Sequence, residues 1–152
     1  MLLTGTYTRS IDEKLRIAIP KPLRDQWMKA DSVTHLFVAP GTDGSLALYT
    51  EDAFARLAEK LSSASPTGQA VRDFSRLFYA RAQRVELDRQ GRIRIPPELA
   101  PLIGLPRGDG LASEGVLVGV RDHMELWEAG RWQTYLQQRQ DQYDQLAEQA
   151  FA

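Results

Sequence analysis

The chain has 152 residues, 43% of them hydrophobic and 26% charged, with a formal net charge of −1. That size and balance fit one globular domain, or two small units sharing a core, and exclude collagen-like, fibrous and wholly disordered chains. With no cysteine, the sequence also excludes disulfides, cysteine–zinc sites, iron–sulfur clusters and thiol nucleophiles.

Met1-Leu2-Leu3-Thr4-Gly5 has neither the basic start nor the long apolar stretch of a secretory signal, and no apolar run approaches the ~20 residues of a membrane span. Residues 11–23 read Ile-Asp-Glu-Lys-Leu-Arg-Ile-Ala-Ile-Pro-Lys-Pro-Leu. Ile17 and Ile19 alternate with Arg16 and Ala18, and this period of two predicts a strand with one buried and one wet face. Pro20 has no N–H and ends the ladder, so Lys21–Trp27 fits a short helix. Strands are predicted through Leu36-Phe37-Val38 and up to Leu48-Tyr49. Glu51–Leu61 spaces Phe54, Leu57, Ala58 and Leu61 as one helix face, and Gln69–Tyr79 does the same with Val71, Phe74, Leu77 and Phe78. Ser62–Gly68 is the loop between these helices. Arg72 and Arg76 lie four apart on the wet face of the second helix.

The pattern then begins again. Residues 87–99 read Leu-Asp-Arg-Gln-Gly-Arg-Ile-Arg-Ile-Pro-Pro-Glu-Leu and share Asp-x-x-x-Arg-Ile-x-Ile-Pro-x-x-Leu with the first copy, 76 positions on. Leu126-Trp127 matches Leu48-Tyr49 and Trp132 matches Phe54, both 78 positions on, with the apolar stretch Val116-Leu117-Val118 before them. Each half therefore predicts strand, tight turn, strand, short helix, strand, strand, helix. The second short helix is expected over Pro97–Ile103, stopped by Gly104. Gly108-Asp109-Gly110 reads as a turn rather than a phosphate loop. From Arg131 a C-terminal helix places Trp132, Leu136, Arg139, Tyr143, Leu146 and Ala150 at alternating spacings of four and three. This heptad-like seam could dock on its own core or on another subunit.

The neutral total hides a polarised distribution. Of 19 basic residues 15 are arginine, and Arg72–Arg94 holds seven arginines against Asp73, Glu86 and Asp88. Arg9–Arg24 holds five basic residues against two acids, whereas from Asp122 onward six acids face only Arg131 and Arg139. Asp12 and Asp88 suit tight turns, where an aspartate bonds backbone groups two residues on, and Arg16 and Arg92 suit ion pairs to them. His35 and His123 lack metal-ligand spacing and read as surface or loop histidines. No metal or cofactor is expected.

The run from Asp88 to Leu99 resembles the signature of the AbrB-type swapped-hairpin DNA-binding module. Two such runs in register, the helical pair between them, the closing Leu-Tyr and Leu-Trp pairs and the C-terminal helix are similar, over nearly the whole chain, to the MraZ family of bacterial transcriptional regulators. The resemblance implies an α+β fold of two tandem AbrB-like β-barrel halves with pseudo-two-fold symmetry, an inserted helical pair and a C-terminal helix. The expected boundaries are 6–53 for the first module, 54–81 for the connecting helical segment, 82–131 for the second module and 132–152 for the C-terminal helix and tail. It further implies a ring-shaped homo-oligomer in the cytoplasm, associated with the nucleoid. Such a protein binds double-stranded DNA at direct repeats in its own promoter, as a repressor of the division and cell-wall gene cluster. The family's Asp-x-x-x-Arg motif falls at Asp12–Arg16 and Asp88–Arg92. It brings forward Lys14, Arg16, Arg89, Arg92 and Arg94 as DNA-binding residues, with Asp12, Asp88 and Gly91 shaping the turns. There is one departure: the family usually has glycine before the motif arginine, and the first copy has Leu15. If that position needs a positive φ, leucine costs roughly 1–2 kcal/mol there.

A competing reading is a non-catalytic oligomeric scaffold that recruits a partner through the C-terminal seam. An enzyme is the weakest class, since neither a Ser–His–Asp order nor a phosphate-binding glycine loop is present. Nor does anything resemble the aromatic stacking motifs of RNA modules.

Overall fold

The structure, a computed structural model, describes residues 2–27, 34–64, 67–105 and 113–152. The Gly108-Asp109-Gly110 turn and Ser65-Pro66 of the connecting loop lie outside the described residues. The first half runs β1 (Thr6–Ile11), β2 (Arg16–Ala18), α1 (Lys21–Trp27), β3 (His35–Pro40), β4 (Leu46–Tyr49) and α2 (Glu51–Ser62). After α3 (Gln69–Arg81) the order returns as β5 (Gln83–Glu86), β6 (Arg92–Arg94), a 3-10 helix (Ala100–Ile103), β7 (Ser113–Val120), β8 (His123–Glu128) and α4 (Ala129–Arg139). A 3-10 turn (Gln140–Gln142) then leads into α5 (Tyr143–Phe151).

The eight described strands form one antiparallel sheet in the order β5-β3-β4-β8-β7-β1-β2-β6. Its ends, β5 and β6, touch without a hydrogen-bonded ladder, so the barrel is nearly closed. The register carries the duplication. In β2 and β6, Ile17 faces Ile93, its own counterpart in the repeat; in β4 and β8, Ala47 faces Glu125, again its counterpart. A pseudo-two-fold axis passes through both pairs. The halves also trade strands: β1 lies along β7 of the second half, and β5 lies along β3 of the first.

The inward residues of the period-two strands make one core. Ile17, Ile19, Ile93 and Ile95 are buried between the halves with Leu36, Leu48, Leu117 and Leu126. The opening segment carries the β1–β7 pairing past Gly5, as Leu3 and Arg121 exchange backbone hydrogen bonds of 2.6 and 3.0 Å beside Gly119. A Cβ on Gly119 would stand 2.6 Å from Thr4 N and 2.7 Å from Leu3 C. Backbone cannot swing aside as a side-chain tip can. Gly119→Ala is therefore expected to cost about 1–3 kcal/mol as an overpacked site, seen in calorimetry as a fall in Tm of roughly 2–10 °C.

Three expectations change. The second short helix is a single 3-10 turn over Ala100–Ile103, not a helix from Pro97. Pro101 has no N–H to give the carbonyl of Pro97 and its ring would clash there. The C-terminal helix is broken at Gln140–Gln142, so the heptad-like seam is split between α4 and α5. His35 and His123 are neither surface nor loop residues. They open β3 and β8 with largely buried side chains, His35 Nε2 at 3.4 Å from Glu51 and His123 Nδ1 at 3.0 Å from Asp122. Both strands begin beneath α2 or against Tyr49, whose ring stacks on His123. Burial, with Asp122 and Glu125 adding negative charge, pushes the Tyr49 hydroxyl up to about 12.

Candidate nucleic-acid interface

The tight turn after β1 is built by one carboxylate. Asp12 Oδ1 accepts the backbone N–H of Lys14 (2.9 Å) and of Arg16 (2.8 Å), and its Oδ2 accepts Arg16 Nε (2.6 Å). The backbone closes beneath it, Leu15 N–H donating to the Asp12 carbonyl at 3.0 Å and Asp12 N–H to that of Arg16 at 3.1 Å. The second turn repeats every bond. Asp88 Oδ1 accepts from Gln90 N (2.8 Å) and Arg92 N (3.0 Å), and Oδ2 accepts Arg92 Nε (2.8 Å). Both turns need a left-handed residue before the arginine, and φ is +63° at Leu15 and +75° at Gly91. The leucine offsets its strain by burial: its side chain is 4% exposed and belongs to the core.

These bonds set the charge state of the turns. The backbone N–H of Arg16 holds the Asp12 carboxyl below the usual carboxylate range, against the raising effect of desolvation, with the Arg16 guanidinium and the Lys14 N–H adding to it. Arg92 and Gln90 do the same for Asp88, its largest cause being the Arg92 N–H. A depressed carboxyl pKa contributes stability that is present above the ordinary aspartate value of about 3.9 and lost as pH falls through the depressed one. Circular dichroism below about pH 4 should therefore show wild type losing stability with a steeper pH dependence than the Asp12→Asn/Asp88→Asn variant, which has no carboxyl to titrate at either turn.

The two turns are brought together by the β2–β6 ladder and stand at either end of it. Ile19 N–H donates to the Gly91 carbonyl (2.9 Å) and Ile95 N–H to that of Leu15 (2.7 Å), so each turn is pinned by the other half. Arg94 Nε donates to the Lys14 carbonyl at 3.2 Å, and Arg92 Nη1 lies 4.0 Å from Asp12 Oδ2. The five cationic candidates thus divide. Arg16 and Arg92 are half-buried and locked to their aspartates. Lys14, Arg89 and Arg94 are exposed, and none forms an ion pair among the described residues. The tips also differ from each other. Glu13 occupies the place in the first turn that Arg89 holds in the second.

Sequence reasoning missed Arg24. Its guanidinium lies over Gly91, where a Cβ would meet Cζ at 2.6 Å, and its buried Nε has no hydrogen-bond partner among the described residues. Arg24 therefore adds a cation behind the second tip. The one sequence signal for it was the glycine beneath it. Arg72 and Arg76, by contrast, serve their own helix: Arg72 bonds the Thr67 carbonyl and Gln69, and Arg76 lies 3.8 Å from Asp73. Among the described residues, no group of histidine and acidic side chains could hold a metal ion and no helix is long and apolar enough to cross a membrane.

A family model described as "MraZ protein, putative antitoxin-like" matches the chain twice, over residues 2–77 and 78–152. The chain is 39% identical over 131 residues to the transcriptional regulator MraZ of Thermomicrobium roseum, covering 86% of this chain and 84% of that protein. It is 35% identical over 147 residues to that of Limosilactobacillus reuteri and 32% identical over 148 residues to that of Frankia alni, in both cases covering 97% of this chain and 96% of the relative.

Proposed function

The chain belongs to the MraZ family, and on that premise we propose that it is a sequence-specific DNA-binding transcriptional regulator, acting in the cytoplasm on the nucleoid as a homo-oligomer. Its targets are tandem direct repeats in its own promoter, and its effect there is repression of the division and cell-wall gene cluster. The relatives are named for regulating transcription and not for a catalysed reaction. The observation that carries the reading is the pair of aspartate-locked turns held at the two ends of one ladder, with Lys14, Arg89 and Arg94 exposed and without an ion pair among the described residues.

A two-stranded ribbon fits the major groove of B-DNA, and an arginine there can grip guanine O6 and N7 with both terminal nitrogens. Arg16 and Arg92 suit that task, because Asp12 and Asp88 hold Nε and so aim the guanidinium before DNA arrives. Lys14, Arg89 and Arg94 suit phosphates, which fix register without reading sequence. One subunit offers few cations in a chain of net charge −1, so it binds weakly by itself. Several subunits engaging neighbouring repeats convert later contacts into intramolecular ones and supply the missing affinity.

The test is fluorescence anisotropy with a duplex carrying the tandem repeats and with a scrambled duplex, across a salt series. The repeat duplex should bind tighter, and affinity should fall steeply as salt rises, since each neutralised phosphate releases counterion. Equal affinity for both duplexes would overturn sequence-specific regulation.

A further inference from the structure

We propose that a recess between α2 and the β7–β8 turn binds the phosphate group of a small molecule, a ligand beyond the DNA-binding reading above. The recess has a volume of about 270 Å³, and its walls include Tyr49, Arg56, Lys60, Arg121, Asp122 and His123. Both halves of the chain build it. Strand β4 and α2 come from the first and the turn Arg121-Asp122 from the second, joined where Leu48 pairs with Met124 and the Tyr49 ring stacks on His123. Arg56 and Lys60 stand one helical turn apart on α2. Like charges at that spacing destabilise a helix, and neither side chain forms an ion pair or hydrogen bond among the described residues. Asp122 does not neutralise them, because it is engaged 3.0 Å from His123 Nδ1 and 3.8 Å from Arg121 Nη2. Three cations face this one carboxylate, and the surplus matches a phosphate dianion. The Tyr49 hydroxyl, pushed up to about 12 by burial, stays protonated beside them as a donor. A larger cavity of about 630 Å³ shares Arg56, Arg121 and Asp122 with the recess and adds Trp27, His35, Glu51 and Asp52, leaving room for the body of a phosphate monoester.

The repeat supplies a comparison within the molecule. At the offset of 78 positions, Thr134, Gln138 and Asp43 stand where Arg56, Lys60 and Arg121 do. The turn backbone is kept, with φ +68° at Arg121 and +60° at Asp43. The matching recess lies between α4 and the β3–β4 turn, where Asp43, Thr134 and Gln138 are joined by Glu128 and Arg131. Arg131, its one cation among the described residues, donates to the Leu102 carbonyl at 3.1 Å. One architecture therefore occurs twice, and the three cations converge in one copy alone. Helix and turn form with either set of residues, so folding does not call for the cations.

Inorganic phosphate is the probe, titrated calorimetrically into the full-length protein in chloride buffer. Wild type should take it up saturably. Arg56→Ala/Lys60→Ala should raise the half-saturating concentration about tenfold or more, the effect of losing a charge-assisted hydrogen bond. Gln138→Ala, in the matching recess, should leave it unchanged. All three positions are exposed, and circular dichroism checks that the fold is kept. A wild type without saturable uptake, or a double variant that binds phosphate as well as wild type, would overturn the site. The DNA backbone offers phosphates too, so the double variant is also titrated with the repeat and scrambled duplexes in phosphate-free buffer. Unchanged affinity for both is expected. Weaker binding of both with a shallower salt slope would assign these cations to DNA and overturn the small ligand.

Discussion

Leu15→Gly should destabilise the protein by about 1–3 kcal/mol, although glycine is the residue that the turn geometry prefers. Relief of the left-handed backbone returns about 1–2 kcal/mol. Against it stands the loss of a buried leucine side chain, for which truncation to alanine typically costs about 2–5 kcal/mol. Burial wins because Leu15 is inside the core rather than standing off the turn. In a thermal melt at fixed protein concentration this is a fall of roughly 2–10 °C. The second copy should not accept the reverse exchange either. At Gly91 a new side chain meets Arg24 and a φ of +75°, so Gly91→Leu has strain and displacement without the compensating pocket. In the repeat, Ala100 stands where Arg24 does in the first half, and Leu15 where Gly91 does in the second. The halves thus exchange large and small residues about the axis. A Leu15→Gly protein as stable as wild type would show that the leucine is merely tolerated.

The second large effect separates cations that read from cations that hold. Arg16→Ala/Arg92→Ala should lower affinity for the repeat duplex about 10- to 100-fold per lost guanine contact, from the ~1–3 kcal/mol that a bidentate arginine–guanine pair contributes to discrimination. It also leaves Asp12 and Asp88 without their guanidinium partners beside the phosphates. Binding to the scrambled duplex should change far less. Arg89→Ala and Arg94→Ala should instead weaken both duplexes alike, and each should reduce the slope of log affinity against log salt by about one. Anisotropy titrations on both duplexes at three salt concentrations decide the matter. If all four arginine losses weaken both duplexes equally, the aspartate-locked pair does not read bases.

Much of this architecture was legible because the sequence says the same thing twice. The matched runs 11–23 and 87–99 carry the strands, the turns and the buried faces, and Leu15 at a glycine position raised the question of a positive φ, which is +63° there. What period two cannot state is which strand lies alongside. Nothing local to Thr6–Ile11 says that its neighbour on the side away from β2 is Ser113–Val120 of the other half. The shortened helix at Ala100 was readable from Pro97 and Pro101, four apart, but the strong repeat masked it. The break at Gln140–Gln142 carries no proline or glycine, so the spacing ran on across it. The split of the cations into locked and unpaired depends on neighbours distant in sequence, such as Lys14 and Arg94.

The exchange of β1 and β5 between the halves makes neither half a folding unit in its own right. In effect the chain is an obligate dimer of hairpins whose two members have been sewn together by the segment carrying α2 and α3. Severing that seam by proteolysis in the Ser62–Gly68 connection should therefore leave the fragments clasped under native conditions. Once separated in denaturant, each should regain ordered structure only when its sister fragment is returned.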